Sequence, residues 1–139
     1  CVSETAMVES GEEPDEAPMV RIREMITDGE YQEAVQELKV VCAENPGDKT
    51  PWTALAHLQQ ERLGDLDGAA NTVEQALAAF PWEEDDGGFF FFRLVEIHEQ
   101  RGDTDSAVAV LDRVIEAYPN TRYSGNANHK KRELQKGSE

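Results

Sequence analysis

The side chains best suited to catalysis are few and lie far apart in the sequence. The three histidines, His57, His98 and His129, fall in three different predicted helices, and no nucleophile has a plausible base near it. The sequence contains no glycine-rich phosphate loop and no cluster of metal ligands. We therefore predict a chain that is not an enzyme, with no catalytic residues, no metal, no other cofactor and no small-molecule substrate.

Four consecutive acids, Glu83 to Asp86, raise the question of a calcium site. They lack the alternating ligands and the terminal glutamate of a helix-loop-helix calcium site. We interpret residues 82–88 as a solvated, mobile acidic loop instead. Its two glycines would let the segments on either side rotate relative to each other.

The composition limits the kinds of partner. The 139 residues carry a formal net charge of −16, which argues against nucleic acid and against anionic lipid surfaces. No stretch approaches the roughly 18 consecutive apolar residues of a membrane span. The two cysteines, Cys1 and Cys42, exclude a disulfide-rich scaffold and a cysteine zinc site. Cys42 falls on the apolar side of a predicted helix and should be buried.

The clearest structural pattern lies between Phe89 and Pro119. Apolar residues recur there at helical spacing in two stretches. Gly102 can end the first helix in the left-handed conformation, and Asp103 can accept the free N–H groups that open the second. A hairpin of this kind cannot bury both apolar faces alone, so further copies are expected.

Two further copies are present, and two markers identify them. An alanine recurs where the helices of each hairpin should cross, at Ala34, Ala69 and Ala107. A proline recurs at the end of each copy, at Pro46, Pro81 and Pro119. Both markers repeat at intervals of 35 and then 38 residues. Because a larger side chain at the alanine would push the helices apart, the marker has a physical basis.

The chain from Ala17 to Pro119 resembles the tetratricopeptide repeat family, whose unit has about 34 residues. The family's tryptophan and leucine are matched by Trp52 and Leu55, whereas the first unit has Pro18 in the tryptophan place. The second unit holds one extra residue near Glu61 to Leu63. The resemblance implies an all-α, right-handed solenoid of about three helix hairpins plus a C-terminal capping helix.

This interpretation divides the chain into three segments. Residues 1–16 form an acidic disordered tether, residues 17–136 the helical domain and residues 137–139 a tail. Within the domain, the repeats cover about 17–46, 49–81 and 88–119, and the capping helix covers about 121–136. Thr50, followed by Pro51, is predicted to start the first helix of the second unit.

Stacked hairpins of this family form a curved groove that holds a peptide or helix. Some relatives clamp a C-terminal carboxylate there with lysines and asparagines, which this chain lacks at the corresponding positions. We expect Phe89 and Phe92 to project into the groove beside Arg93, with burial of all four phenylalanines as the alternative. An exposed aromatic next to arginine is typical of an interaction hot spot. The candidate partner-binding residues are Arg23, Thr53, His57, Phe89, Phe92, Arg93 and Glu96.

Cys1 at the start of the sequence resembles the lipidated first residue of mature bacterial lipoproteins. That resemblance implies a periplasm-facing lipoprotein of the outer membrane, anchored through lipid on Cys1, that scaffolds protein subunits of an envelope assembly. The alternative is a soluble cytoplasmic adaptor that binds peptide segments of a partner, with Cys1 an arbitrary boundary.

A basic run, residues 129–132, opposes the acidity of the remaining chain. It is either a docking site for an acidic partner or membrane surface, or a solvated face of the capping helix, which a solenoid needs at its end.

Overall fold

The computed structural model describes residues 16–137, so Cys1 and residues 2–15 of the predicted tether lie outside the described residues. The described chain forms seven helices: α1 (Glu16–Thr27), α2 (Tyr31–Glu44), α3 (Lys49–His57), α4 (Leu66–Ala79), α5 (Glu84–Gln100), α6 (Thr104–Ala117) and α7 (Arg122–Gly137). Helix α3 continues directly as a π-helix, Leu58–Arg62. Between residues 16 and 137 there is no β-strand.

The helices form three hairpins, α1–α2, α3–α4 and α5–α6, followed by α7. The turn inside each hairpin contains a glycine with positive φ, as the sequence predicted for the third; these are Gly29, Gly64 and Gly102. Each helix packs mainly against the helices that precede and follow it in the chain. This serial arrangement confirms the predicted all-α solenoid.

The core lies along the seams between these helices. The three marker alanines, Ala34, Ala69 and Ala107, have 0% exposed surface. The apolar residues that follow them on the second helices are also buried: Leu38, Val41, Val73, Ala76, Leu111 and Val114. Cys42 is buried as well, and burial, followed by the charge of Asp48, raises the pKa of its thiol to about 12.

The extra residue of the second unit is accommodated in the π-helix. Within it, the Leu63 N–H donates to the Leu58 carbonyl, one residue further back than in an α-helix, at 3.1 Å. The wider turn places two consecutive glutamines, Gln59 and Gln60, in the interior. Gln59 lies 2.6 Å from the Thr72 hydroxyl of α4, and Gln60 faces α5.

The prediction that Thr50 starts α3 was wrong. The helix begins at Lys49, and its cap is Asp48, whose carboxylate accepts a hydrogen bond from the Thr50 N–H at 3.0 Å. An ionised carboxylate is a strong cap that also favours the positive end of the helix dipole. Asp103 caps α6 in the same way, as predicted, and accepts from the Ser106 N–H at 3.1 Å.

The prediction of a mobile acidic loop at residues 82–88 was also wrong, because α5 begins at Glu84. Acidic side chains in the first turn suit the positive end of the helix dipole. Gly87 and Gly88 are buried and are not hinges. Their missing side chains let Tyr118 and Tyr123 approach α5, and the Tyr123 hydroxyl donates to Asp85.

The basic run on α7 is tied to acids of the chain itself. Lys130 pairs with Glu99 at 3.2 Å, and Lys131 pairs with Asp112 at 2.7 Å. These contacts join α7 to α5 and α6, so this run belongs to the capping helix.

Replacement of Ala69 tests the hairpin crossing. We expect Ala69→Leu to lower the free energy of unfolding by roughly 1–3 kcal/mol, because the site has no room for the added carbons. Ala78→Leu, at an exposed position of the same helix, should change it by less than about 0.5 kcal/mol. Chemical denaturation of the two variants measures the difference; equal midpoints would contradict the proposed crossing.

Replacement of Gly88 tests the contact between α5 and α7. A helical Gly→Ala change ordinarily stabilises by about 1 kcal/mol. At Gly88, however, a Cβ would lie 2.7 Å from the Tyr123 ring, so we expect destabilisation by roughly 1–3 kcal/mol. Gly125→Ala on α7 meets nothing within 4 Å and should stabilise. Thermal unfolding should shift in opposite directions for the two variants, and a shift of both in the same direction would argue against this packing.

Candidate functional site

A groove runs across the first helices of successive hairpins. One part, a cavity of about 360 Å³, lies between α3 and α5 and is lined by Lys49, Thr50, Thr53, Ala54, His57, Phe89 and Arg93. The adjoining part, of about 370 Å³, lies between α5 and the start of α7 and is lined by Asp85, Gly88, Phe89, Phe92, Arg93, Glu96 and Tyr123. Phe89 and Arg93 line both parts. We call the whole surface the first-helix groove.

Phe89 is the exposed aromatic of this groove, with 41% of its surface accessible. Lys49 Nζ lies 5.7 Å and Arg93 Cζ lies 5.6 Å from the centre of its ring. Cations at this distance are attracted to an aromatic ring by about 0.5–1 kcal/mol at exposed sites. Lys49 is also paired with Asp86 at 2.9 Å. The ring is therefore held in place while much of its surface stays open to a ligand.

Arg93 is positioned by the π-helix of the second unit. Its Nη1 donates to the Gln60 side-chain oxygen at 2.9 Å, and the Gln60 amide nitrogen donates to Gln100 at 2.9 Å. Gln60 is 7% exposed, so its amide is a fixed support. The guanidinium of Arg93 is thus held against Phe89 by a buried neutral residue.

The structure brings together six of the seven candidate residues. Thr53, His57, Phe89 and Arg93 line the α3–α5 part, and Phe92 and Glu96 line the α5–α7 part. Arg23 does not join them. It lines a separate cavity on α1, of about 390 Å³, together with Val20 and Glu24.

Six further residues line the groove and were not among the candidates chosen from the sequence: Lys49, Thr50, Ala54, Asp85, Gly88 and Tyr123. Gln60, which supports Arg93 without lining the groove, was not chosen either. Lys49 stands four residues before Thr53, which is one helical turn, but the predicted start at Thr50 excluded it from the helix. The only sign in the sequence of an irregularity near Gln60 was the extra residue of the second unit. Arg93, the partner of Gln60, is 33 residues away, so no local pattern could identify the contact.

The sequence of this region matches a known family. Residues 53–121 match the model described as tetratricopeptide repeat. No curated protein sequence gives a significant match to the chain.

Several solved structures share the fold. The chain is similar to the type III secretion chaperone SycD of Yersinia enterocolitica in complex with a peptide of the translocator YopD, with a TM-score of 0.62, 18% identity, and coverage of 89% of this chain and 94% of that one. It is also similar to PcrH in complex with the chaperone binding region of PopD, with a TM-score of 0.61, 18% identity, and coverage of 93% and 98%. A further structure of the translocator chaperone SycD matches with a TM-score of 0.60 and 18% identity. The match covers 95% of this chain and 98% of that one.

The serial hairpins define a helical-repeat protein, and their first helices share one groove. More particularly, residues 53–121 match the tetratricopeptide repeat model, and the described chain shares the fold of these secretion chaperones. Repeats of this kind are non-catalytic, which agrees with the predicted absence of an enzyme activity. None of the helices between residues 16 and 137 is long and apolar enough to cross a bilayer.

His98 lies outside the groove, at the junction of α5 and α6. It is buried, and its Nδ1 lies 3.0 Å from Arg101 Nη1. Burial lowers the pKa of His98, and the charge of Arg101 lowers it further, against smaller opposing effects of Asp103 and Glu74. The folded state therefore favours the neutral imidazole.

This preference predicts a pH dependence of stability. Because the pKa of His98 is lower in the folded state than its ordinary 6.5, its contribution is complete above pH 6.5 and is lost as the pH falls below that value. We expect His98→Gln to reduce the loss of unfolding free energy between pH 7.5 and 5, measured by urea denaturation. His57→Gln, at an exposed groove position, is the control and should keep the wild-type slope. Equal slopes for all three proteins would show that His98 does not contribute.

Proposed function

We propose that this chain is a non-catalytic adaptor that binds an extended peptide segment of a partner protein in the first-helix groove. The observation that carries the proposal is the exposed ring of Phe89, held between Lys49 and Arg93 in the middle of a continuous surface across α3, α5 and α7. An aromatic beside an arginine is the composition of a binding hot spot.

The dimensions of the groove suit a peptide. An extended segment rises about 3.3 Å per residue, so a few residues are enough to cross from α3 to α5. Ala54 and Phe89 offer an apolar contact, while Thr53 and His57 offer polar groups. Both parts of the groove are open and shallow, which fits a chain that passes through better than an enclosed small molecule.

The solved structures support the same kind of ligand. Two solved structures of similar fold are complexes, SycD with a peptide of the translocator YopD and PcrH with the chaperone binding region of PopD. The matched part covers at least 94% of the length of each of these chaperones. At 18% identity the likeness concerns the fold, and the sequence bound by this chain is a separate matter.

Of the two hypotheses raised by the sequence, the peptide-binding adaptor is the better supported. A lipid-anchored scaffold of an envelope assembly depends on Cys1, which lies outside the described residues. The groove supports an adaptor whether or not an anchor is present. Within this proposal we favour the cytoplasm as its location, because a chaperone of a secretion system meets its partner before export.

A matched pair of phenylalanines tests the proposal. Phe89 and Phe80 are equally exposed at 41%, but Phe80 lies outside the groove, in a cavity lined by residues of α4 and α6. Peptides selected by the purified chain from a displayed library of random twelve-residue sequences should bind Phe89→Ala at least about tenfold more weakly, as expected of a hot spot. They should bind Phe80→Ala within about twofold of wild type, measured by fluorescence anisotropy.

Two results would contradict the proposal. If the library yields no specific binder, peptide binding itself is wrong. If the selected peptides bind Phe89→Ala as well as wild type while both variants keep their helicity, the first-helix groove is not the binding site.

A further inference from the structure

Two arginines of the described chain are half-buried, and each contacts a phenylalanine ring. Arg113 Cζ lies 5.2 Å from the centre of Phe91, and Arg93 Cζ lies 5.6 Å from the centre of Phe89. Because both guanidinium groups lie over a phenylalanine ring, the hydrogen-bond partners of Arg113 and Arg93 can be compared directly.

Arg113 is paired with a carboxylate. Its Nη1 and Nη2 donate to the two carboxylate oxygens of Glu74, at 2.8 and 3.1 Å. A bidentate pair of this kind fits the planar fork of the guanidinium and is stronger than a neutral hydrogen bond. Phe91 beneath it is buried, so this arrangement is part of the core between α4, α5 and α6.

Arg93 lacks such a carboxylate. Among residues 16–137, its one side-chain hydrogen-bond partner is the neutral amide of Gln60, and its buried Nε has no hydrogen-bond partner there. Glu96 and Asp85 line the same groove, yet neither forms an ion pair with Arg93 within the described part of the chain. A partly desolvated guanidinium with a buried donor left unpaired is unfavourable, and a carboxylate beside the guanidinium offsets this cost through its opposite charge.

The unpaired state of Arg93 among the described residues is unexpected in so acidic a chain. With 29 acidic and 13 basic residues, acids to pair with Arg93 are abundant in this sequence. Lys49, the other cation at Phe89, is already paired with Asp86. Arg93 is therefore the cation of the groove that remains available to an external carboxylate.

We propose that the peptide bound in the first-helix groove carries an aspartate or glutamate whose side chain pairs with Arg93, next to an apolar side chain that packs on Phe89 and Ala54. This inference rests on the proposed function and specifies its ligand. A single acid suits the site better than an acidic tract, because Asp85 and Glu96 line the same groove and repel further negative charge there.

The experiment uses the same displayed library, with each peptide joined to its carrier through its C-terminus so that only side-chain carboxylates are offered. Peptides selected by the wild-type chain should be enriched in one acid at a fixed distance from an apolar residue. Selection on Arg93→Gln should keep the apolar preference and lose the acid, and selection on Arg93→Glu should favour lysine or arginine. Arg113→Gln is the matched control, and should keep the wild-type preference.

Affinities of the best peptide and of its amide counterpart complete the test. In wild type, changing the peptide's acid to its amide should weaken binding about tenfold, and in Arg93→Gln this difference should disappear. Glu96→Gln should tighten binding of the acidic peptide, because a like charge in the same groove is removed.

The outcomes separate this inference from the proposed function. Binders without acid enrichment, still sensitive to Phe89→Ala, would overturn the carboxylate assignment and leave peptide binding intact. Acid enrichment that persists in Arg93→Gln would overturn the role of Arg93. Absence of any binder would overturn both proposals.

Discussion

The structure depends on how closely two helices can approach at one small residue. Ala34, Ala69 and Ala107 have no exposed surface at the crossing of each hairpin. Since the side chain there is one methyl group, the helix axes come close enough for the following apolar residues to interdigitate. Each hairpin then presents the same shape to the next, and three of them stack in series. The first helices fall in a row only because this spacing repeats.

Departures from the repeat position the groove. The π-helix of the second unit turns Gln60 toward α5, where it accepts a hydrogen bond from Arg93. Gly88, near the start of α5, admits the ring of Tyr123, which forms the far wall of the groove. A regular repeat would supply neither feature. The residues that depart from the repeat therefore distinguish this groove from that of a regular repeat. Single π-helical turns are frequently found at functional sites.

The sequence allowed the repeat, the hairpin turns and the Asp103 cap to be predicted, because each depends on residues close together in the chain. It misled at Thr50 and Asp48, which are both acceptable caps two residues apart, since only the folded backbone decides between them. It misled again at Glu84–Gly88, where acids and glycines are typical of a loop. There the burial of Gly87 and Gly88 under two tyrosines, a tertiary effect, overrides local preference. The role of Gln60 could not be predicted from the sequence either, because it depends on a contact with Arg93 that only the fold creates.

The electrostatics of the groove follow from distance. The net charge of −16 acts on any ligand from afar, but salt at physiological strength screens exposed charges beyond about 8 Å. Inside that range the local cations Lys49 and Arg93 dominate around Phe89. Lys49 is largely neutralised by Asp86, so the short-range attraction is concentrated at one guanidinium. A ligand with scattered acids gains little from such a field, whereas one with a single well-placed carboxylate gains a directional contact. Selectivity for one position in a peptide is therefore compatible with a strongly acidic surface.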